Sequence, residues 1–248
     1  CNKKTIYKVC EVCNERTRGG HFCRKCGVET ELPECSKRDD KNEAHGKCQT
    51  FMKQEIDINH YFSNALEKIG EKSYPEIIKG IKGTSSSEHI PEHPAKGILR
   101  AKHGVYVNKD GTTRYDMIEM AITHFKPQEV GVSVEKLKNI GYTKDCYGEE
   151  LRYENQILEL KPQDVVLPAC KECPEDGSDI ILRNVADFID ALLVKLYGQE
   201  PYYNIKDKED LVGQLCVAMS PHTSAGIVCR IVGFSKTQGF FAHPYLHS

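Results

Sequence analysis

The sequence predicts an α+β protein built in several parts, with a small zinc-ribbon-like module at its N-terminus. Three observations predict it. Seven of the twelve cysteines fall in the first 48 residues, in a charged segment with almost no apolar periodicity. From Phe51 the composition changes and helical periodicity begins. The last third sets one strong helical stripe before glycine-punctuated, β-prone runs. The expected division is 1–50 for a metal module, 51–95 for a helical connector, 96–182 for an α+β body, and 183–248 for a helix and the strands that follow it.

The elements are justified in chain order. A segment as poor in core residues as 1–50 needs a staple to fold. "HYFSNALEKIGE" places Phe62, Ala65, Leu66 and Ile69 on one face and ends at Gly70, which predicts a helix. "SYPEIIKGIKG" predicts a short helix or turn, and "TSSSEHIPEHP" a loop. "HGVYVNKDGTTRYDM" predicts a hairpin around Asp110-Gly111. "VSVEKLKNIGY" predicts a short helix closed by Gly141, and "ENQILELKPQDVVLP" one or two strands around Lys161-Pro162. In "LRNVADFIDALLVKLYG" the residues Val185, Phe188, Ile189, Leu192 and Leu196 form one stripe, with Gly198 as the cap. "EDLVGQLCVAM" fits a helix or a strand, and the tail is β-prone.

Bulk numbers exclude some classes. The chain has 248 residues, 39% hydrophobic and 28% charged, with a net charge of -2 and no Trp. Global basicity is absent, so any nucleic-acid role must come from a local patch. Apolar runs such as "ALLV" are far too short to span a bilayer. The first residues are polar and basic rather than a secretory h-region, so a cytoplasmic protein is expected. Starting on Cys1 instead of Met suggests a piece of a longer chain.

Clustered C-x2-C pairs outside a secretory context read as metal ligands before disulfides. Cys10-x2-Cys13 and Cys23-x2-Cys26 are expected to bring four thiolates to one tetrahedral, structural zinc, against the alternative of four unrelated cysteines. Gly27 follows the second knuckle, and Gly19-Gly20 permits a tight hairpin between the two. Cys35, His45 and Cys48 form a weaker second set, with Asp39 as a candidate fourth ligand. Cys170-x2-Cys173 lacks a partner pair and reads as polar loop.

The C-terminal stretch poses a different question. After Asp210 no acid occurs in the last 38 residues. His222, Thr223, Ser224, Arg230, Lys236, His243 and His247 supply cations and donors without competing carboxylates, and Gly226, Gly233 and Gly239 permit close backbone approach. That combination suits a phosphate backbone or a triphosphate. The competing reading is a buried sheet with its histidines satisfied in the core. No Walker A, G-x-G-x-x-G or G-x-S-x-G is present.

Longer blocks are more specific. "KGILRAKHGVYVNKDGTTRYD", "ITHFKPQEVGVSVEKLKNIGYT", "QILELKPQDVVLP" and the run from Asp210 to Ser248 resemble, in order, the large catalytic subunit of archaeal family D DNA polymerases. The loop "PACKECPEDGSD" and the incomplete second cysteine set depart from that pattern. The resemblance implies a catalytic core of double-psi β-barrels, of which 183–248 would supply a part. It implies template-directed addition of dNTPs to a primer 3′ end, with DNA primer–template and dNTP as ligands. A small subunit with 3′–5′ exonuclease activity and a sliding clamp are implied as partners, and a nucleoid-associated location. It also implies Mg²⁺ for the complete subunit, held on an Asp-rich motif expected downstream of Ser248, so no catalytic residue is assigned here and the chain alone is expected to be inactive. A non-catalytic zinc-ribbon nucleic-acid-binding module and a purely structural subunit-contact piece are the alternatives.

Overall fold

The computed structural model describes residues 1, 3–10, 12–50, 57–73, 75–78, 80, 92–108, 111–219 and 225–246. The architecture is mixed α+β, as expected. The chain divides into two compact units: Cys1–Ala101 with Val107–Thr112, and Lys102–Tyr106 with Thr113–Ser248.

The first unit opens with a knuckle in which Val9 bridges Arg16 and the Asn14 N–H donates to the Cys10 carbonyl. Two antiparallel hairpins follow. One is β1 (His21–Cys23) with β2 (Val28–Thr30), and the other β3 (Glu34–Arg38) with β4 (Ala44–Lys47). Among the described residues of the first 50, only Cys10 and Cys23 are buried and apolar, so these hairpins have no side-chain core of their own. Phe22 and Gln49 exchange both backbone hydrogen bonds and tie β1 to the end of the second hairpin. Helix α1 (Ile58–Ile69) starts where Asp57 accepts from the His60 N–H and ends at Gly70, whose φ of 67° is the left-handed turn glycine tolerates best. Helix α2 is Pro94–Lys102. Arg100 in α2 forms a bidentate pair with Glu92 at 2.6 and 2.7 Å.

In the segment expected to be a short helix or turn, the described residues show bends at Glu76 and Ile77; Tyr74, Lys79, residues 81–83 and most of the serine-rich loop lie outside the described residues. At the hairpin expected around Asp110-Gly111, the Asn108 N–H donates to the Thr112 carbonyl and the Gly111 N–H to the Asn108 carbonyl, but the described arms are not strands. Lys109 and Asp110 lie outside the described residues.

The second unit is built on a five-stranded mixed sheet. Its strands are β5 (Ile118–Ala121), β8 (Asp164–Pro168), β9 (Leu215–Met219), β10 (Gly226–Ser235) and β11 (Gly239–Ala242), in the order β5-β11-β8-β10-β9. The β8–β10 and β5–β11 pairs are parallel; β8–β11 and β9–β10 are antiparallel. β6 (His124–Phe125) and β7 (Leu158–Glu159) make a separate antiparallel pair. Short helices α3 (Pro127–Val130) and α4 (Val134–Asn139) lie between β6 and β7. α5 (Ser178–Leu192) is the predicted long helix. It ends four residues earlier than its apolar stripe predicts, because Leu193–Tyr197 widens into a π turn before Gly198 closes it at φ 64°. The wider turn rotates Val194 and Tyr197 out to solvent.

The core gathers Leu137, Leu151, Leu158, Val165, Val166 and Val232, all at most 1% exposed. The two outer strands differ from this interior. Leu215, Val217 and Met219 alternate outward on β9, and Ile118 and Met120 are exposed on β5.

β8 has a run of five buried residues, as a central strand needs. Its pairing with β10 slips at a bulge, so Ile231 faces Val165 and Gly233 faces Val166, leaving Val232 between them. Gly233 is where α3 comes closest: a Cβ there would lie 2.7 Å from the Val130 Cβ and 2.8 Å from the Val130 carbonyl oxygen. Gly233→Ala should therefore cost about 2 kcal/mol by overpacking. Urea denaturation followed by circular dichroism will measure the loss, and wild-type stability would show that α3 can move aside.

Candidate functional site

In the first unit the hairpins bring together Cys23 at the end of β1, Cys26 in the β1–β2 turn, Cys35 on β3 and His45 on β4. Their donor atoms all lie within 4.8 Å of one another. Cys23 Sγ is 3.5 Å from His45 Nδ1, Cys26 Sγ 3.6 Å from Cys35 Sγ, and Cys35 Sγ 3.8 Å from His45 Nδ1. A tetrahedral thiolate–imidazole centre has S···S edges of about 3.8 Å and S···N edges of about 3.6 Å, from its usual bond lengths. The donor set therefore fits a tetrahedral metal ion. The Cys23 thiol is lowered to about 6, chiefly by the Cys26 backbone N–H and the Cys26 side chain, which favours the thiolate a metal needs.

The ligand set differs from the one expected. Cys10 and Cys13 do not join Cys23 and Cys26; they face Cys1, whose Sγ is 3.5 Å from Cys10 Sγ and 3.3 Å from Cys13 Sγ. The reason is the hairpin pairing. β3–β4 delivers Cys35 and His45 to the Cys23 knuckle and completes its shell. The Cys48 thiol is pushed up, first by burial and then by the charges of nearby Cys23 and Cys35. It is not one of the four clustered donors. Asp39 is not a ligand: its carboxylate accepts the Lys41 and Glu43 N–H groups and pairs with Lys25, closing the β3–β4 turn.

In the second unit, the acid-free tail meets an acid from another strand. Arg230 on β10 sits in register with Asp164 on β8. Its Nε and Nη2 donate to the two carboxylate oxygens at 2.9 and 2.6 Å, and Nη1 donates to the Ile140 carbonyl at 2.8 Å. Tyr142 donates its hydroxyl to the same carboxylate at 2.5 Å and accepts the Lys161 N–H at 3.2 Å. Burial, and then that donation to Asp164, hold the Tyr142 phenol far above its usual range, so it stays a donor. The Lys161 ammonium covers the Tyr142 ring at 4.8 Å.

This network corrects the reading of Arg230 as an open anion contact. Its guanidinium is already neutralised, and the Asp164 side chain is 5% exposed. His243 is corrected likewise: it is 8% exposed, and its Nδ1 accepts the Tyr245 N–H at 3.2 Å. The glycines make room for side chains rather than for an anion. A Cβ on Gly226 would lie 2.5 Å from Val217, and one on Gly239 3.1 Å from Met120. Lys236 is exposed in the turn between β10 and β11. His222, Thr223, Ser224 and His247 lie outside the described residues. Asp164 and Tyr142 were not singled out by sequence. Their signal was slight: an acid at the head of the apolar run "VVL".

The Asp164 pair makes a sharp stability test. Removing the cation leaves a buried carboxylate without its partner, so Arg230→Ala should cost about 3 kcal/mol. Lys at that position should restore only part of it, because it cannot donate in a fork. Thermal unfolding of both variants will check this. Wild-type stability for Arg230→Ala would return Arg230 to the list of ligand contacts.

Comparisons with known proteins agree with one another. The family model described as DNA polymerase II large subunit DP2, catalytic domain, matches residues 70–248. The DNA polymerase II large subunits of Archaeoglobus fulgidus, Methanocella arvoryzae and Nanoarchaeum equitans are 47%, 41% and 38% identical to the chain over its full length. The chain spans about a fifth of the length of these relatives.

Proposed function

The chain belongs to the DNA polymerase II large subunit family, and from that premise we propose that it is part of the catalytic subunit of a replicative DNA-directed DNA polymerase. The reaction is template-directed addition of dNTPs to a primer 3′ end. The observation that carries this reading is the catalytic-domain match across residues 70–248. Primer–template DNA and dNTP are the proposed ligands, and a small exonuclease subunit and a sliding clamp the proposed partners. A partial double-psi barrel is the proposed assignment for the sheet. Mg²⁺ is proposed for the complete subunit, where it would stabilise charge on the transferring phosphoryl group. Among the described residues no group of three or more carboxylates gathers, so none is assigned to that ion. Primer extension by the complete subunit with its partner tests the reading. Absence of dNTP incorporation on a primed template would leave the zinc-ribbon binding module as the better account.

Zinc is proposed for Cys23, Cys26, Cys35 and His45, in a structural role, since four protein ligands leave no open position. Metal binding here is folding energy, because the hairpins have no core of their own. Elemental analysis should find at least about one zinc per chain. Cys35→Ser should release it and open the β1–β4 hairpins while α5 keeps its helical signal. Cys10→Ser should leave it bound. Zinc loss from Cys10→Ser with retention in Cys35→Ser would restore the paired-knuckle arrangement.

Lys236 is the proposed phosphate contact on the described surface; His222, Thr223, Ser224 and His247, outside the described residues, are proposed as further contacts. In the complete subunit, Lys236→Ala should keep its melting temperature and weaken DNA binding equally across template sequences. If Lys236 neutralises one phosphate, the slope of log affinity against log salt should fall by about 0.9. An unchanged affinity and slope would remove Lys236 from the interface.

A further inference from the structure

The loop between β8 and α5 carries a second kind of cysteine pair. Cys170 and Cys173 belong to neither metal-type group and are half-buried free thiols. Only Lys171 and Glu172 separate them. From the β10–β11 turn, Gln238 Nε2 donates to Cys173 Sγ at 2.8 Å. The loop is anchored at both ends: the Ala169 N–H donates to the Ser235 carbonyl at 2.8 Å, and the Ser178 hydroxyl to the Pro168 carbonyl at 2.5 Å. Between these anchors the residues form turns and bends.

Two thiols at C-x2-C spacing in one loop have two uses, a metal or a disulfide. Among the described residues no third cysteine, histidine or carboxylate completes a ligand group with them, which leaves a metal too few donors. The C-x2-C spacing, by contrast, is the short loop that closes readily into a disulfide. We propose that Cys170 and Cys173 form a reversible intramolecular disulfide, and that its formation releases Gln238 from Cys173.

The oxidant is a low-molecular-weight disulfide. One protein thiolate attacks a sulfur of the reagent, forming a mixed disulfide and expelling one reagent thiolate. The second protein thiolate then attacks the mixed disulfide at the protein sulfur and expels the other half. The protein gives up two electrons and two protons, and the reagent leaves as two thiols. The Cys173 thiol is pushed up, first by its hydrogen bond with Cys170 and then by burial, so Cys173 is the resolving partner. The sulfurs bond at about 2.05 Å, which draws Cys173 Sγ toward Cys170 and away from the Gln238 amide. The turn at 236–238 then loses the side chain that ties it to the loop.

The test uses the whole zinc-loaded chain, equilibrated in glutathione buffers from reducing to oxidising, then alkylated and digested with trypsin. Lys171 lies between the two cysteines, so cleavage there leaves them on separate peptides that only a disulfide joins. The expected result is a joined pair under oxidising buffer, reversed by a dithiol, with several-fold faster amide exchange at Thr237–Gly239 in the oxidised form. Gln238→Ala should still form the disulfide, but its turn should exchange fast in both states. Cys170→Ser should abolish the redox response. The disulfide is overturned if both thiols remain alkylatable at every glutathione ratio, or if either is found bonded to another cysteine. Its coupling to Gln238 is overturned if the disulfide forms and the turn exchanges unchanged.

Discussion

Parallel strands cannot be joined by a tight turn, and the second unit is organised around that constraint. β8 and β10 lie side by side and point the same way, so the chain must leave the sheet after Pro168 and travel back before Gly226. It does so through α5, which packs against β8, and then re-enters as β9, antiparallel to β10. The Ser178–Pro168 and Ala169–Ser235 hydrogen bonds clamp the point of departure. At the far end of the return path, the Asp190 carboxylate accepts three backbone N–H groups, from Tyr202, Tyr203 and Asn204, and fixes where the chain turns for β9.

The same pairing decides the electrostatics. A segment without acids in sequence is not one without acids in space. The register of β8 against β10 sets Asp164 beside Arg230 across 66 residues of chain, and Tyr142 and Lys161 close over the pair. A buried pair of this kind ties two strands by mutual need, because either charge left alone would be expensive. Among the described residues Lys236 has no such partner, lying in the turn beyond the end of β10.

What sequence could reveal follows the range of the interactions involved. Helix ends governed by local backbone chemistry were legible: Gly70, Gly141 and Gly198 all take positive φ where closure was expected. The cysteine knuckles were legible as knuckles, since a C-x2-C turn is local. Their grouping was not, because it depends on which hairpin packs on which, and Cys35 and His45 arrive from the second one. β5 was missed for the same reason: "IEMA" becomes a strand only by pairing with β11, where Ile118 faces Gly239. The arms around Asn108 and Thr112 had the residue types of a hairpin, yet their described residues form no strands. Family blocks carried the function, whereas residue types alone favoured Arg230 and His243 as anion contacts.

The alternation of Leu215, Val217 and Met219 along the β9 edge bears on how the polypeptide behaves at high concentration. The strand LCVAM has no lysine, proline or other gatekeeper, and among the described residues no strand pairs with its outer edge. On the opposite edge strand Ile118 and Met120 are also exposed, but the charge of Glu119 is set between them. The β9 border invites another extended chain to add on, in register or out of it. Colloidal stability, more than thermal stability, then sets the limit on handling the free polypeptide. Solubility should improve whenever a neighbouring polypeptide covers that border.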